Sequence, residues 1–429
     1  MNSHSRSTVP SIDWLGQLGR RWQTTTLGRV GRFHMGTTFP HAFQGNESGK
    51  IPFIKVSDFS LADKSGVIST ANNWVSLDVA SRLGARVLPQ GCILYPRAGA
   101  ALLLNQRRIT GRPCIVDDNV RGFEPHSGDV RFWRYLMTLL DMKRITNPGP
   151  VPSVSETQVS SVQVPLPPLG EQRRIADFLD IETTPLDRLT TLRKEQLTLL
   201  RSRRFSLVRE VLMQGLRSTV TESTGLSWLP QCPADWKLTP LRYVTQCLDG
   251  KRVPLSAEER ASRQGPYPYY GASRVVDHID DYLFDEQLVL LGEDGAQLGN
   301  PELEVSFFID GKIWVNNHAH VLRPTGINGQ LLAEILNVFD RQLCMSGATR
   351  EKITQEEMNH ILLPVPPIDQ QSELVEWISS ERFKLSSLQD ALHRQIATIA
   401  ERRQALITAA VTGQFDVSTA SGRNVTDGV

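Results

Sequence analysis

The sequence predicts an α+β chain built twice over. Two mixed α/β modules alternate with two long helices, and the helices pack as an antiparallel coiled coil with a pseudo-two-fold internal repeat. Three observations predict this. A proline-led segment and the helix behind it recur at a fixed offset. A tryptophan-marked opening recurs upstream. The stretches between these matched ends are short-stranded and unlike each other. A single core is not expected at 429 residues, because cores stop growing near 250–300 residues and longer chains divide into domains.

The repeat sets the boundaries. Pro165-Leu166-Pro167-Pro168-Leu169-Gly170-Glu171-Gln172 recurs 199 residues later as Pro364-Val365-Pro366-Pro367-Ile368-Asp369-Gln370-Gln371. The same offset pairs Ile175 with Leu374, Phe178 with Trp377, Leu186 with Leu385, Leu189 with Leu388 and Leu207 with Leu406. It also pairs Gln196 with Gln395 and Arg203-Arg204 with Arg402-Arg403. Upstream, Trp14-Leu15, Gln17, Trp22, Thr25, Leu27 and Val30 match Trp228-Leu229, Gln231, Trp236, Thr239, Leu241 and Val244 at an offset of 214. The first copy therefore carries about fifteen extra residues between its matched ends. The expected organisation is a flexible tail (1–10), a first module (11–165), a central helix (166–217), a second module (225–364), a distal helix (365–414) and a flexible tail (415–429).

Within the first module, 51–56 and 87–95 read as strands and 130–141 as a helix. Pro165, Pro167 and Pro168 read as a stiff extended linker, because proline fixes φ and disfavours helix just before it. Residues 171–216 are Leu- and Arg-rich with no glycine before Gly215, which predicts one helix. Pro185 is expected to kink or interrupt it. In the second module, 288–291 and 313–315 read as strands and 330–339 as a helix. Leu385, Leu392, Ile399 and Leu406 then recur every seven residues, with Leu388 at the complementary position. Leu186, Leu189, Leu200 and Leu207 supply the facing seam on the central helix. Each helix has room for about 40 residues, roughly 60 Å at 1.5 Å per residue.

Composition excludes several classes. Hydrophobic content of 40% with 22% charged residues suits a globular chain. No apolar run reaches the ~18 residues of a membrane span, and the opening residues carry no signal-peptide core. Five scattered cysteines without C-x-x-C fit a reducing, cytoplasmic setting. The net charge of +1 hides a polarity. Residues 1–165 hold 19 Lys+Arg and 11 Asp+Glu, whereas 221–364 hold 12 and 20. Such asymmetry points the first module toward a polyanion.

Catalytic motifs are missing. The sequence has no P-loop, no strand-borne G-x-G-x-x-G, no N-P-P-[FYW] loop and no G-x-S-x-G elbow. Asn147-Pro148-Gly149-Pro150 is not the methyltransferase loop. His318-Ala319-His320 could pair on a metal but has no third ligand at suitable spacing, so no metal site is expected. Asp235 with Asp249-Gly250-Lys251 loosely resembles a nuclease pattern that arises by chance in chains of this length. No catalytic residue is therefore assigned. Binding remains, and double-stranded DNA is the expected ligand. The candidate contacts are Lys55, Arg97, Arg107, Arg108, Arg112 and Arg121 in the first module. In the second they are Lys251, Arg252, Arg274, Lys312, Asn316, Asn317 and Arg350. Cationic side chains position a duplex through phosphates, and bidentate Arg or Asn reads base edges.

This arrangement resembles the specificity (S) subunit of type I restriction–modification systems. The resemblance is carried by the tryptophan openings, by Tyr269-Tyr270-Gly271-Ala272-Ser273, and by Leu290-Leu291-Gly292-Glu293-Asp294-Gly295-Ala296. Residues 314–322, the entries at 164–172 and 363–371, and Arg402-Arg403-Gln404-Ala405-Leu406-Ile407 with Ala409-Ala410-Val411-Thr412-Gly413 also carry it. It implies that the modules are target recognition domains, each reading half of a split, asymmetric DNA target. The helices would set the unread gap and dock two methyltransferase subunits, and motor-nuclease subunits would join them. The chain itself would be non-catalytic and cofactor-free, with AdoMet, ATP and Mg in the partner subunits. Two other readings stay open: a stand-alone nuclease, and a coiled-coil adaptor whose modules bind protein.

Overall fold

The computed structural model describes residues 22–146, 151–217, 220–272, 274–293, 298–300, 303–344, 352–414 and 416–417. Trp14, Leu15, Gln17, Ser273, residues 294–296, Arg350 and the motif at 147–150 lie outside the described residues. The chain divides into two compact units, residues 1–192 with 395–429 and residues 193–394. Each unit therefore takes one module and half of each long helix.

In the first unit, strand Gly31–Met35 lies at one edge of a five-stranded sheet. Strands Val120–Pro125, Ile93–Pro96, Arg108–Thr110 and Val67–Ile68 follow it in that order. A smaller sheet orders Trp74–Val75, Ile51–Ile54 and Ile115–Val116. Helix Val130–Leu139 buries Phe132, Trp133, Tyr135, Leu136 and Met137 in a core shared with Ile93, Tyr95 and Phe123. In the second unit a six-stranded sheet orders Thr245–Cys247, Ala319–Pro324, Phe284–Gly292, Ser306–Val315, Gln264–Tyr270 and Val275–Ile279. Helix Gly329–Val338 packs in a core with Val289, Leu291 and Leu322.

The offset of 199 reaches further than sequence identity reveals. It carries strand Val120–Pro125 onto Ala319–Pro324, helix Val130–Leu139 onto Gly329–Val338, helix Glu156–Ser160 onto Gln355–Asn359, and strand Gln163–Leu166 onto Leu362–Val365. The offset of 214 carries strand Gln23–Thr26 onto Lys237–Pro240. The common frame surrounds two different interiors, 36–119 and 250–318.

The proline-led segment is not a free linker. Gln163–Leu166 pairs antiparallel with Gln23–Thr26, and Leu362–Val365 pairs with Lys237–Pro240. Both are two-stranded ribbons, where a proline takes a position that needs no ladder donor. The strand expected at 87–95 shortens to Ile93–Pro96; Leu88 instead makes an isolated bridge with Cys114.

The long helices span Leu169–Gln214 and Ile368–Val411. Gly215 (φ 66°) and Gly413 (φ 69°) follow their ends, in the left-handed conformation that releases a helix C-terminus. Pro185 does not interrupt the first helix, which runs unbroken through it. Pro185 and Ile181 are both exposed, so the carbonyl that loses its N–H partner faces water. No described helix is long and apolar enough to cross a membrane.

Within each unit the two helices run antiparallel. In the first, Ile175, Ala176 and Leu179 share a core with Ile407, Ala410 and Val411, and Arg403 donates to Asp187 at 2.7 Å. In the second, Val208, Val211 and Leu212 share a core with Leu374, Val375 and Ile378. The expected seam is corrected in part. Leu207 is buried, and Leu186, Leu200, Leu385, Leu392, Ile399 and Leu406 are half-buried. Leu189 and Leu388 are exposed, at 36% and 53%. These two are equivalent by the repeat, and a two-helix pair covers only one stripe of each helix, which this position misses.

Candidate nucleic-acid interface

The glutamine of the repeated proline segment fixes each module to its helix. Gln172 Oε1 accepts from the N–H of Asp129 at 3.0 Å, and its Nε2 donates to the Pro167 carbonyl at 2.9 Å. Gln371 repeats both bonds, to Asn328 N–H at 2.6 Å and the Pro366 carbonyl at 3.0 Å. Asp129 and Asn328 are the N-caps of the core helices, so each glutamine anchors a capping residue. Sequence reading found the motif but not this role. The matching Asp and Asn at the same offset were the available signal.

Of the first-module candidates, Arg112 is exposed, with its guanidinium 5.1 Å from the Trp74 ring centroid. Lys55 is half-buried, with Nζ 4.3 Å from the Phe39 centroid. Arg97 is half-buried, and Arg108 is half-buried and donates to the Phe59 carbonyl at 2.8 Å. Arg107 and Arg121 are not available as free contacts. Arg107 is 2% exposed and donates to Asn105 Oδ1 and the Gln106 carbonyl, both at 2.8 Å. Burial brings its guanidinium down to about 10. Arg121 is 7% exposed and donates to the Asp118 and Val120 carbonyls. Both read as loop cations in the sequence, but both side chains are buried on polar groups of their own module.

In the second module, Lys251, Arg274 and Asn317 are exposed and Asn316 is half-buried, its Oδ1 accepting from His318 N–H at 2.8 Å. Lys312 is exposed and lies 4.6 Å from the Tyr282 ring centroid and 5.8 Å from that of Tyr267. The two rings meet edge to face at 5.1 Å. A cation over aromatic faces keeps its charge while losing little freedom on binding. Tyr267 and Tyr282 were missed in the sequence. The alternation in Pro266-Tyr267-Pro268-Tyr269 was the signal. Arg252 is committed internally, to Asp249, Glu293 and the Ala319 carbonyl.

That commitment belongs to a buried network around His320, the second histidine of the His-x-His pair. His320, 2% exposed, places Nδ1 2.6 Å from Asp249 Oδ2 and Nε2 2.8 Å from the Ile353 carbonyl. Asp249 also accepts from Val321 N–H at 2.8 Å. Burial pushes its carboxyl up, but the His320 bond and charge, the Val321 amide and Arg252 outweigh it, and the net direction is down. Asp235 is bonded to Gln370 Nε2 at 2.6 Å. The two nuclease-like carboxylates, Asp235 and Asp249, are therefore each held by partners within the fold.

In the first module, His34, Cys92 and Glu124 bring their donor atoms within 4.8 Å of one another, the one mixed His/Cys/carboxylate grouping of three among the described residues. Sequence spacing could not show it, because His34 and Glu124 lie on separate strands and Cys92 immediately precedes a third.

Comparisons with known proteins follow this geometry. A family model described as the type I restriction modification DNA specificity domain matches residues 19–199 and again 233–396. A Haemophilus influenzae protein named as a type I restriction enzyme specificity subunit is 33% identical over 143 residues, covering 33% of this chain and 35% of that protein. The EcoDI specificity subunit of Escherichia coli is 26% identical over 186 residues, covering 43% of this chain and 39% of the relative. The matched stretches thus span little more than a third of these relatives. A chain solved in work on complex assembly and conformational transition of the type I R-M system superposes with a TM-score of 0.65 at 15% identity, covering 93% of this chain and 100% of that one.

Proposed function

The chain belongs to the type I restriction modification DNA specificity family, and from that premise we propose that it is the sequence-reading subunit of a type I restriction–modification complex. Each module reads one half of a bipartite, asymmetric target. The two long helices fix the length of the unread gap and dock two methyltransferase subunits, to which motor-nuclease subunits add. Methylation of adenine N6 and cleavage are carried out by those partners, which bring AdoMet, ATP and Mg. This chain supplies recognition and spacing.

One observation carries the reading. Matching frames hold unlike interiors: the outer strands and core helices superimpose by offset, whereas 36–119 and 250–318 differ in strand number and order. Identical readers related by two-fold symmetry would select a palindrome, as dimeric binders do. Unlike readers on one frame select two different half-sites. The exposed cations Arg112, Lys251, Arg274 and Lys312, with Asn317, are the side chains free to meet phosphates and base edges. Docking is supported by apolar side chains left exposed on the helices, among them Ile181, Leu189, Leu199, Phe383 and Leu388. Monomeric surfaces seldom display such groups in series.

The test is reconstitution with methyltransferase subunits, followed by mapping of methylated adenines across a genome-sized substrate. Two different short sequences at constant separation are expected. A palindrome, or no sequence selectivity, would refute the reading. Divalent-metal-dependent cutting by the purified chain alone would favour the nuclease alternative.

A further inference from the structure

The first module holds a donor set that DNA reading does not use. Strand Val120–Pro125 pairs with Gly31–Met35 on one side and Ile93–Pro96 on the other. The registers set His34 opposite Gly122 and Ile93 opposite Phe123. Residues two apart share a sheet face, so His34, Glu124 and Cys92 come together on one face of three adjacent strands. His34 Nε2 stands 2.7 Å from Glu124 Oε2, and the three donor atoms lie within 4.8 Å of one another.

We propose that His34, Cys92 and Glu124 form a nitrogen–sulfur–oxygen site for a divalent ion of the Zn2+ class, which braces three strands of the first module. Four observations carry it. The donor types are those zinc takes, and its bond lengths imply ligand-to-ligand spacings of roughly 3.3–3.7 Å in a tetrahedron, within reach of the observed grouping. The site is pre-formed: Cys92 is fully buried and its N–H is held by Thr110 Oγ1 at 2.9 Å. His34 is 2% exposed, and its Nδ1 is buried without a hydrogen-bond partner, unusual for a polar atom in a folded interior. Finally, the Glu124 side chain is 36% exposed, which leaves a path for the ion and a fourth position for water. A Cβ at Gly122 would stand 2.5 Å from Leu88 Cδ2 and 3.4 Å from His34 Cβ, so glycine there lets Leu88 pack close beside His34.

The proton balance is simple. A cysteine thiol carries its proton at neutral pH unless something draws it off. Binding forms a sulfur–metal bond and releases that proton to solvent. His34 Nε2 and Glu124 Oε2 share one hydrogen across 2.7 Å, and the ion displaces it either to the other ring nitrogen or to solvent. Affinity should therefore rise with pH.

Cobalt(II) is the probe, added to the reduced, chelator-treated full-length chain. One equivalent should generate a sulfur-to-cobalt charge-transfer band in the near ultraviolet, and Zn2+ should abolish it by competition. Cys92→Ser should remove the band while the other four cysteines remain. Glu124→Gln should raise the half-saturating cobalt concentration at least about tenfold, because even outer-shell changes cost 10–100-fold. No band at stoichiometric cobalt, or an unchanged band in Cys92→Ser, overturns the assignment. If Cys92→Ser fails to fold by circular dichroism, the partly exposed Glu124→Gln decides: unchanged half-saturation overturns the site. DNA reading does not depend on the result.

Discussion

At the scale of single residues, charge alone is a poor guide to what a side chain does, and exposure separates the cases. Arg107 and Lys312 are both cations beside aromatic rings, yet Arg107 is buried against Tyr95 on the Gln106 carbonyl and the Asn105 side chain, and Lys312 stands at the surface over Tyr282 and Tyr267. In the assembled complex, Lys312→Ala should weaken DNA binding and lower the slope of log affinity against log salt by about one, as loss of one phosphate contact does. Arg107→Met should leave that slope unchanged and lower the first module's stability. Titrations at several salt concentrations separate the two. The Asp249–His320 pair gives a pH prediction. The His320 ring, the Val321 amide and Arg252 together hold the Asp249 carboxyl below its ordinary value despite its burial. The folded carboxyl titrates below the unfolded value of about 3.9. Its contribution is thus fully present above that pH and is lost as pH falls through the folded value. Asp249→Asn should cost about 3–5 kcal/mol near neutrality. The gap from the unaltered chain should close below about pH 4. Urea denaturation at a series of pH values reads both.

At the scale of elements, what was legible depended on whether the signal was local. The long helices were readable to within two residues of their first turns, because a leucine- and arginine-rich run without glycine leaves the backbone few alternatives. Strands 288–291 and 313–315 were found as fragments of longer strands, Phe284–Gly292 and Ser306–Val315. Their remaining residues, such as Asp285, Glu286 and Asp310, are polar and paired across the hairpin. The proline segments were misjudged because their pairing partners lie about 140 and 125 residues away. The interruption expected at Pro185 is absent for another reason. The rule that proline breaks a helix counts a lost bond, but the remainder of this helix is held by packing at Leu179 and Thr183 on the buried side. The missing bond should still have a cost. Pro185→Ala should restore the Ile181 carbonyl's partner and stabilise the chain, by up to about 3 kcal/mol on the propensity difference. A chemical denaturation midpoint moved upward with unchanged slope is the expected observation, and an unmoved midpoint would mean that the helix has already absorbed the proline without penalty.

At the scale of the whole molecule, the repeat is a division of labour. Residues that build the frame recur at fixed offsets: the proline strands, the capped core helices, and Gln172 with Gln371. Residues 36–119 and 250–318 are free to differ because the frame does not depend on them. This is why the architecture could be read from sequence and the contact residues could not. A frame leaves periodic traces, whereas a reading surface depends on where a few loop side chains project. On the proposed function, gap length is separable from sequence choice. Both helices are continuous across the boundary between the two compact units, so their length can change without touching either interior. Inserting one helical turn, four residues, into each helix after Leu192 and before Gln395 lengthens both helices equally and leaves the antiparallel pairing inside each unit untouched. The added rise is about 6 Å at 1.5 Å per residue, close to two base-pair steps at 3.4 Å each. Methylome mapping of the reconstituted complex should return the same two half-sites with the gap enlarged by one or two base pairs. Insertion into one helix alone should instead disrupt the pairing and abolish methylation. An unaltered gap after the double insertion would mean that the helices do not set the spacing, even if each module continued to recognise its own half-site.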